Sequence, residues 1–143
     1  MTNKTEKIIN DLLWIDSTIE ENIIDFEHKY KCSILYDNDR IPNFSDYTCV
    51  CDIDFNNGYL LYVEIYSGQM VRLEWTYKDY THATNYPAIL DEDGEYWYFM
   101  GKLHRRNGPA IIKNNGVKEW WENGVNVTKK YKRLEKIDKL LNN

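Results

Sequence analysis

Apolar residues recur every three or four positions near the start of the chain: Ile8, Leu12, Ile15, Ile19, Ile23, Phe26 and Tyr30, with Ile9, Leu13 and Ile24 widening the stripe. That spacing describes one face of an amphipathic helix and predicts helix over residues 5–30. Ser17-Thr18-Ile19-Glu20 has the form of a capping box and Asp16 is a second good N-cap, so the stripe reads as one helix or as two meeting near Asp16; its unbroken phase favours one. Beyond Lys31 the pattern changes to strands. Residues 32–36 form a short apolar run closed by Asp37-Asn38-Asp39, and the stretch around Ile41-Pro42-Asn43 reads as loop. Strands are expected over 47–55 and 59–66, because Asn56-Asn57-Gly58 between them tolerates the positive φ of a tight hairpin. Ser67-Gly68 starts another turn, after which residues 70–77 alternate. Val71, Leu73, Trp75 and Tyr77 share one face, and Arg72, Glu74 and Thr76 the other.

The pattern then repeats itself. Thr81, His82, Asn85, Pro87, Ala88, Ile89 and Gly94 return 22 residues later as Leu103, His104, Asn107, Pro109, Ala110, Ile111 and Gly116. Trp75 and Trp97 keep the same interval, and Trp120 follows after 23. A fixed period in this range signals supersecondary units, each too small to bury its own apolar face. Pro87 and Pro109 open short strands, and the turns Asp91-Glu92-Asp93-Gly94 and Lys113-Asn114-Asn115-Gly116 correspond. Thr128 is the expected cap of a last helix with Tyr131, Leu134, Ile137 and Leu141 on its apolar side. The expected fold is α+β: an antiparallel β-meander of stacked hairpins with an N-terminal amphipathic helix and a C-terminal helix. It forms a single domain over 1–143, with helix over 5–30, strands over 31–67, hairpin repeats over 68–127 and a basic helix over 128–141.

The residues that carry the repeat also carry a resemblance. Gly101-Lys102-Leu103-His104-Arg105-Arg106-Asn107-Gly108-Pro109-Ala110, followed by Asn115-Gly116 and Trp120-Trp121-Glu122-Asn123-Gly124, resembles the Leu-His-Arg-x-x-Gly-Pro-Ala variant of MORN-type repeats. Such repeats occur in giant-virus, phage and bacterial antitoxin-like proteins. The first copy departs from the pattern at Thr81, Ala83 and Tyr86, and a third, begun at Gly124, decays at Asn126 and Val127. The resemblance implies stacked β-hairpins and no shared catalytic residue. It also implies a viral or phage accessory factor that binds and inhibits a host protein.

Composition sharpens this picture. Five Trp, twelve Tyr and four Phe point to an aromatic, β-rich core. The first residues hold no signal-peptide segment and no run is long enough to span a membrane, so a cytoplasmic protein is expected, in the host cytoplasm if viral. The net charge is −5, yet residues 128–143 carry +4, leaving −9 on the first 127. An acidic body argues against nucleic acid as the main ligand. Cys32, Cys49 and Cys51 read as reduced, buried thiols rather than metal ligands. His82 and His104, at one repeat position, read as structural groups satisfying a turn carbonyl. Asp52, Asp54 and Glu64 read as an exposed strand face rather than an acid–base pair.

No catalytic residue, cofactor or metal is therefore assigned. The stripe of Trp75, Trp97 and Trp120 should be buried, and Tyr98 and Trp121, on the opposite face, more exposed. A partner-binding surface is expected at Tyr96, Tyr98 and Trp121 with the adjoining Arg105 and Arg106, the partner being a host protein. An antitoxin or immunity protein masking a toxin is the alternative, and a small enzyme the second. The two sheet edges of a meander also suggest a homodimer.

Overall fold

A computed structural model describes residues 7, 8, 10, 11, 20–35, 49–66 and 69–142. Helix α1 (Glu20–Tyr30) leads into β1 (Ser33–Leu35), β2 (Cys49–Asp54), β3 (Tyr59–Tyr66), β4 (Gln69–Tyr77) and β5 (Tyr80–Thr81). Then come β6 (Ile89–Asp91), β7 (Gly94–Tyr96), β8 (Tyr98–Phe99), β9 (Lys102–Leu103), β10 (Ile111–Lys113), β11 (Lys118–Glu119), β12 (Trp121–Glu122), β13 (Val125–Asn126) and helix α2 (Thr128–Leu141). The large sheet runs β1-β2-β3-β4-β6-β7-β10-β11, with β5 paired to β4; β8–β9 and β12–β13 are separate hairpins. All these pairings are antiparallel. The expected α+β meander is what forms. The cap candidates at Asp16 and Ser17, the loop around Asp37 to Asn43 and the turn at Ser67-Gly68 lie outside the described residues.

One continuous helix over 5–30 does not form. The Tyr30 hydroxyl and Lys29 Nζ both bond to Asp11 Oδ2, the lysine at 2.6 Å. Residues 19 apart in a single helix would be separated by about 28 Å. Ile8, Ile23 and Phe26 nevertheless share one core, so the apolar phase was preserved while the axis was not. The Lys29 bond, then the Tyr30 bond, hold the Asp11 carboxyl below its ordinary range.

Alternation decides which side of the sheet is dry. Cross-strand register sets Ile53, Leu61 and Trp75 in one row and Cys51, Val63, Leu73 and Leu90 in the next, and these face the buried side chains of α1. Between Glu64 and Ile65 the β3–β4 register shifts, pairing Ile65 with Met70. The bulge leaves Val71 as the extra residue, and Met70 packs on the core in the place expected of Val71. On the outer face Asp52, Tyr62, Glu74, Ile89, Tyr96, Ile111 and Glu119 align as one row across the sheet.

The recurring segment builds the same backbone twice. Trp75 donates to Ala88 O and Trp97 to Ala110 O, both at 2.7 Å; His82 donates to Trp75 O and His104 to Trp97 O, both at 2.9 Å. Each tryptophan precedes a hairpin with a two-residue turn, Lys78-Asp79, Met100-Gly101 and Asn123-Gly124, all six residues at positive φ. Paired left-handed residues match the twist of the flanking strands. Only Gly101 and Gly124 signposted these turns, because the first is built from Lys78 and Asp79.

Thr128 is not the cap of α2. Its hydroxyl accepts the Trp120 amide at 3.0 Å, and Asn126 Oδ1 accepts the Thr128 amide at 3.0 Å. The residue at the N-cap position is Val127, with no side-chain bond. The threonine is spent on tying the helix to the sheet.

Candidate functional site

The tryptophan stripe lies on the core side, and each member is covered by a different group. Tyr86 lies 5.5 Å from Trp75, with Phe55 stacked at 5.4 Å. Tyr131 of α2 stacks on Trp120 at 5.8 Å. Over Trp97 the cover is a cation: Arg105 Cζ stands 3.6 Å from the ring centroid. Position 86 of the first copy is Gly108 in the second, and position 83 is Arg105. The glycine leaves the space that the guanidinium fills, since a Cβ at Gly108 would already touch Arg105 Cζ at 3.4 Å. Trp75 is buried, whereas Trp97, Trp120, Tyr98 and Trp121 are all half-buried, so the expected contrast between the two faces holds only at the first tryptophan.

Between the two recurring loops is a groove of about 750 Å³. Ala83, Thr84 and Asn85 form its first wall, and Arg105, Arg106 and Asn107 the second. Trp97, Phe99, His104 and Asn123 complete the lining. No carboxylate is among these residues, on a chain of net charge −5. Arg105 donates to Pro109 O at 3.2 Å, and among the described residues no carboxylate lies within the 4.0 Å of an ion pair. Burial pulls its guanidinium below the ordinary arginine range, with Glu95 acting the other way. A desolvated cation with donors to spare is an electrostatic debt that an anion relieves. Arg106 beside it is exposed.

The five residues expected to form one surface fall on two. Arg105 and Arg106 come together at the groove. Tyr96 lies on the outer face by register, and Trp121 joins it through its indole N–H, which donates to Glu119 Oε2 at 3.0 Å. Tyr98 adjoins the same face: burial, then the charge of Glu74, raises its phenol, and it packs against the core. Neighbours along an extended chain point opposite ways, so Trp97 and the arginine over it cannot share a face with Tyr96 and Tyr98. The groove itself was not legible, because it arises from how two loops stack.

Both repeated histidines bond to a turn, with the bond reversed from expectation. His82 Nδ1 accepts the Met100 amide at 3.2 Å, and His104 Nδ1 accepts the Asn123 amide at 3.1 Å. Left-handed Met100 and Asn123 turn their N–H groups back toward the preceding segment, so Nδ1 of each ring is the acceptor. Burial holds His82 below the usual histidine value.

Cys32 and Cys51 are buried, and burial foremost pushes the Cys32 thiol up to about 11. The Cys49 side chain lies outside the described residues. Among the described residues no group of three or more His, Cys, Asp and Glu could hold a metal ion, and no helix is long and apolar enough to cross a membrane. Comparison with protein-family models, with curated proteins and with solved structures finds no match.

Proposed function

We propose that this chain is a non-enzymatic protein-binding module that grips an acidic segment of its partner in the groove between its two recurring loops. The observation that carries the reading is Arg105, 3.6 Å over the Trp97 ring with one donor on Pro109 O and no carboxylate partner among the described residues. A guanidinium fixed on an aromatic ring loses little further entropy when its free edge takes a carboxylate. Exposed Arg106 adds a second charge, and Thr84, Asn85 and Asn107 offer hydrogen bonds to an extended peptide. The engagement of His82 and His104 by backbone amides supports a scaffold rather than a catalytic role for both.

The resemblance to MORN-type repeats supports an accessory factor of viral or phage origin that acts on a host protein in the host cytoplasm. A second reading, an antitoxin or immunity protein, is favoured by the acidic outer face, where Asp52, Glu64, Glu74, Asp91 and Glu119 would cover a basic toxin surface.

Selection of displayed 12-residue peptides on the immobilised protein tests the groove. Enrichment of Asp and Glu is expected, together with at least tenfold weaker binding of the selected peptides to Arg106→Glu. Selected peptides without acidic bias, or unaffected by that change, would remove the groove as the recognition site.

A further inference from the structure

Helix α2 shows its apolar stripe to solvent. Leu134, Ile137 and Leu141 are 52%, 48% and 79% exposed, on a helix without a buried residue. The body holds it through Tyr131, stacked on Trp120 and bonded to Glu122 at 3.1 Å, with Lys130 3.8 Å from the same carboxylate. At about 100° per residue, Tyr131 lies roughly 90° around the helix from the centre of the stripe. The helix is thus gripped by its flank, and its apolar side stays bare. An exposed patch of this kind marks an interaction site.

Charge and shape elsewhere on the chain name the occupant. Residues 128–143 carry +4 and the rest −9. On the outer face of β1–β3 two apolar side chains are open to solvent, Leu35 at 49% and Val50 at 45%. Register sets Leu35 beside Asp52, and Val50 beside Glu64, with Asp54 on the same face. Apolar spots ringed by carboxylates complement an apolar stripe on a helical segment of net positive charge, with Arg133 at the edge of the stripe. An anionic membrane would attract the helix but repel the acidic body over about a Debye length, ~8 Å.

The helix cannot reach this surface on its own chain. It leaves from beside β11, on the tryptophan side, whereas β1 ends the other edge of the sheet. Seven strand spacings come to about 34 Å, against about 21 Å for a helix of this length.

We propose that α2 docks on the outer face of β1–β3 of a second copy, laying Leu134, Ile137 and Leu141 against Leu35 and Val50. Arg133, at the edge of the stripe, then faces Asp54 and Glu64. Made twice, the contact closes a two-fold dimer in which each helix lies on the other sheet. It uses neither loop of the arginine groove, so it stands or falls apart from the binding reading.

A charge swap, read by sedimentation equilibrium of the full chain, tests it. The wild type should dimerise with rising concentration. Arg133→Glu and Val50→Lys/Glu64→Lys, each with native circular dichroism, should dimerise at least tenfold more weakly. Their equimolar mixture should recover the dimer, because the reversed helix then meets the reversed sheet and the native helix the native sheet. If the sheet variant fails to fold, Val50→Lys alone serves in its place. A monomeric wild type, variants that dimerise as well as the wild type, or a mixture that stays monomeric would each overturn the proposal. So would wild-type chain that remains monomeric yet binds phosphatidylserine vesicles through α2.

Discussion

Replacing His82 tests how the hairpins are stitched together. Its Nδ1 takes the Met100 amide, and its ring is buried against Phe99 at 4.9 Å, Tyr77 at 5.8 Å and Tyr59 at 6.1 Å. His82→Ala orphans a backbone donor, at about 1–3 kcal/mol, and opens a void among three aromatic rings, adding about 1–2 kcal/mol. With about 2–4 °C per kcal/mol for a chain of this size, Tm should fall by roughly 4–20 °C. His104→Ala, at a half-buried ring, should cost about 1 kcal/mol. His82→Asn restores an acceptor near the Nδ1 position and should recover part of the loss, whereas His82→Phe restores volume without the acceptor.

The same bond has a pH signature. Burial lowers the folded-state value of His82, so the unfolded chain takes the proton first as pH drops below about 6.5. The stabilisation is complete above that unfolded value and is lost as pH falls from there toward the depressed folded one. Thermal melts by circular dichroism between pH 7.5 and 5.5 should therefore show Tm declining in the wild type and less so in His82→Phe. Equal slopes, or a His104→Ala loss exceeding that of His82→Ala, would refute the reasoning.

Two further expectations concern the array and its end. Gly94, at φ +151°, would place a Cβ 2.2 Å from Ile112 O of the next strand, whereas Gly116, its counterpart at φ +88°, has nothing within 4 Å; Gly94→Ala should yield little folded protein on expression, and Gly116→Ala should cost only about 1–2 kcal/mol of backbone strain in chemical denaturation. Tyr131→Ala removes the ring stacked on Trp120 and the bond to Glu122; because an isolated helix of this length is marginal in water, helical circular dichroism at 222 nm should fall while the sheet still melts cooperatively.

Periodicity exposed what depends on one chain segment at a time. The alternation of β4, the Asn56 hairpin and the corresponding Gly94 and Gly116 turns are local, and so were legible. What stayed hidden depends on pairs of segments. The Ile65–Met70 bulge arises where two strands must agree. The Asp11–Tyr30 bond brings together two parts of an apolar stripe whose phase shows no interruption. Thr128 looked like a cap because no local rule says that Trp120 needs its hydroxyl more. Arg105 read equally well as a turn cation, since nothing in its own loop announces the ring beneath it.

The main-chain bonds of Trp75, His82 and Ala88 recur at Trp97, His104 and Ala110, so the differences along that stretch reside in side chains. Tyr86 and Tyr131 cover Trp75 and Trp120 with rings that complete a packing contact and ask nothing further. Arg105 covers Trp97 with a charge, which packing alone does not satisfy. A structural role could have been filled by repeating the tyrosine of the first copy; the pair Arg105 and Gly108 instead places a cation at the one stacking position flanked by loops on both sides. Removing that charge separates the two roles. Arg105→Met keeps the apolar cover and should leave Tm within a few degrees, while binding of acidic peptides drops at least tenfold; a large fall in Tm with binding intact in the folded fraction would make Arg105 a packing residue only.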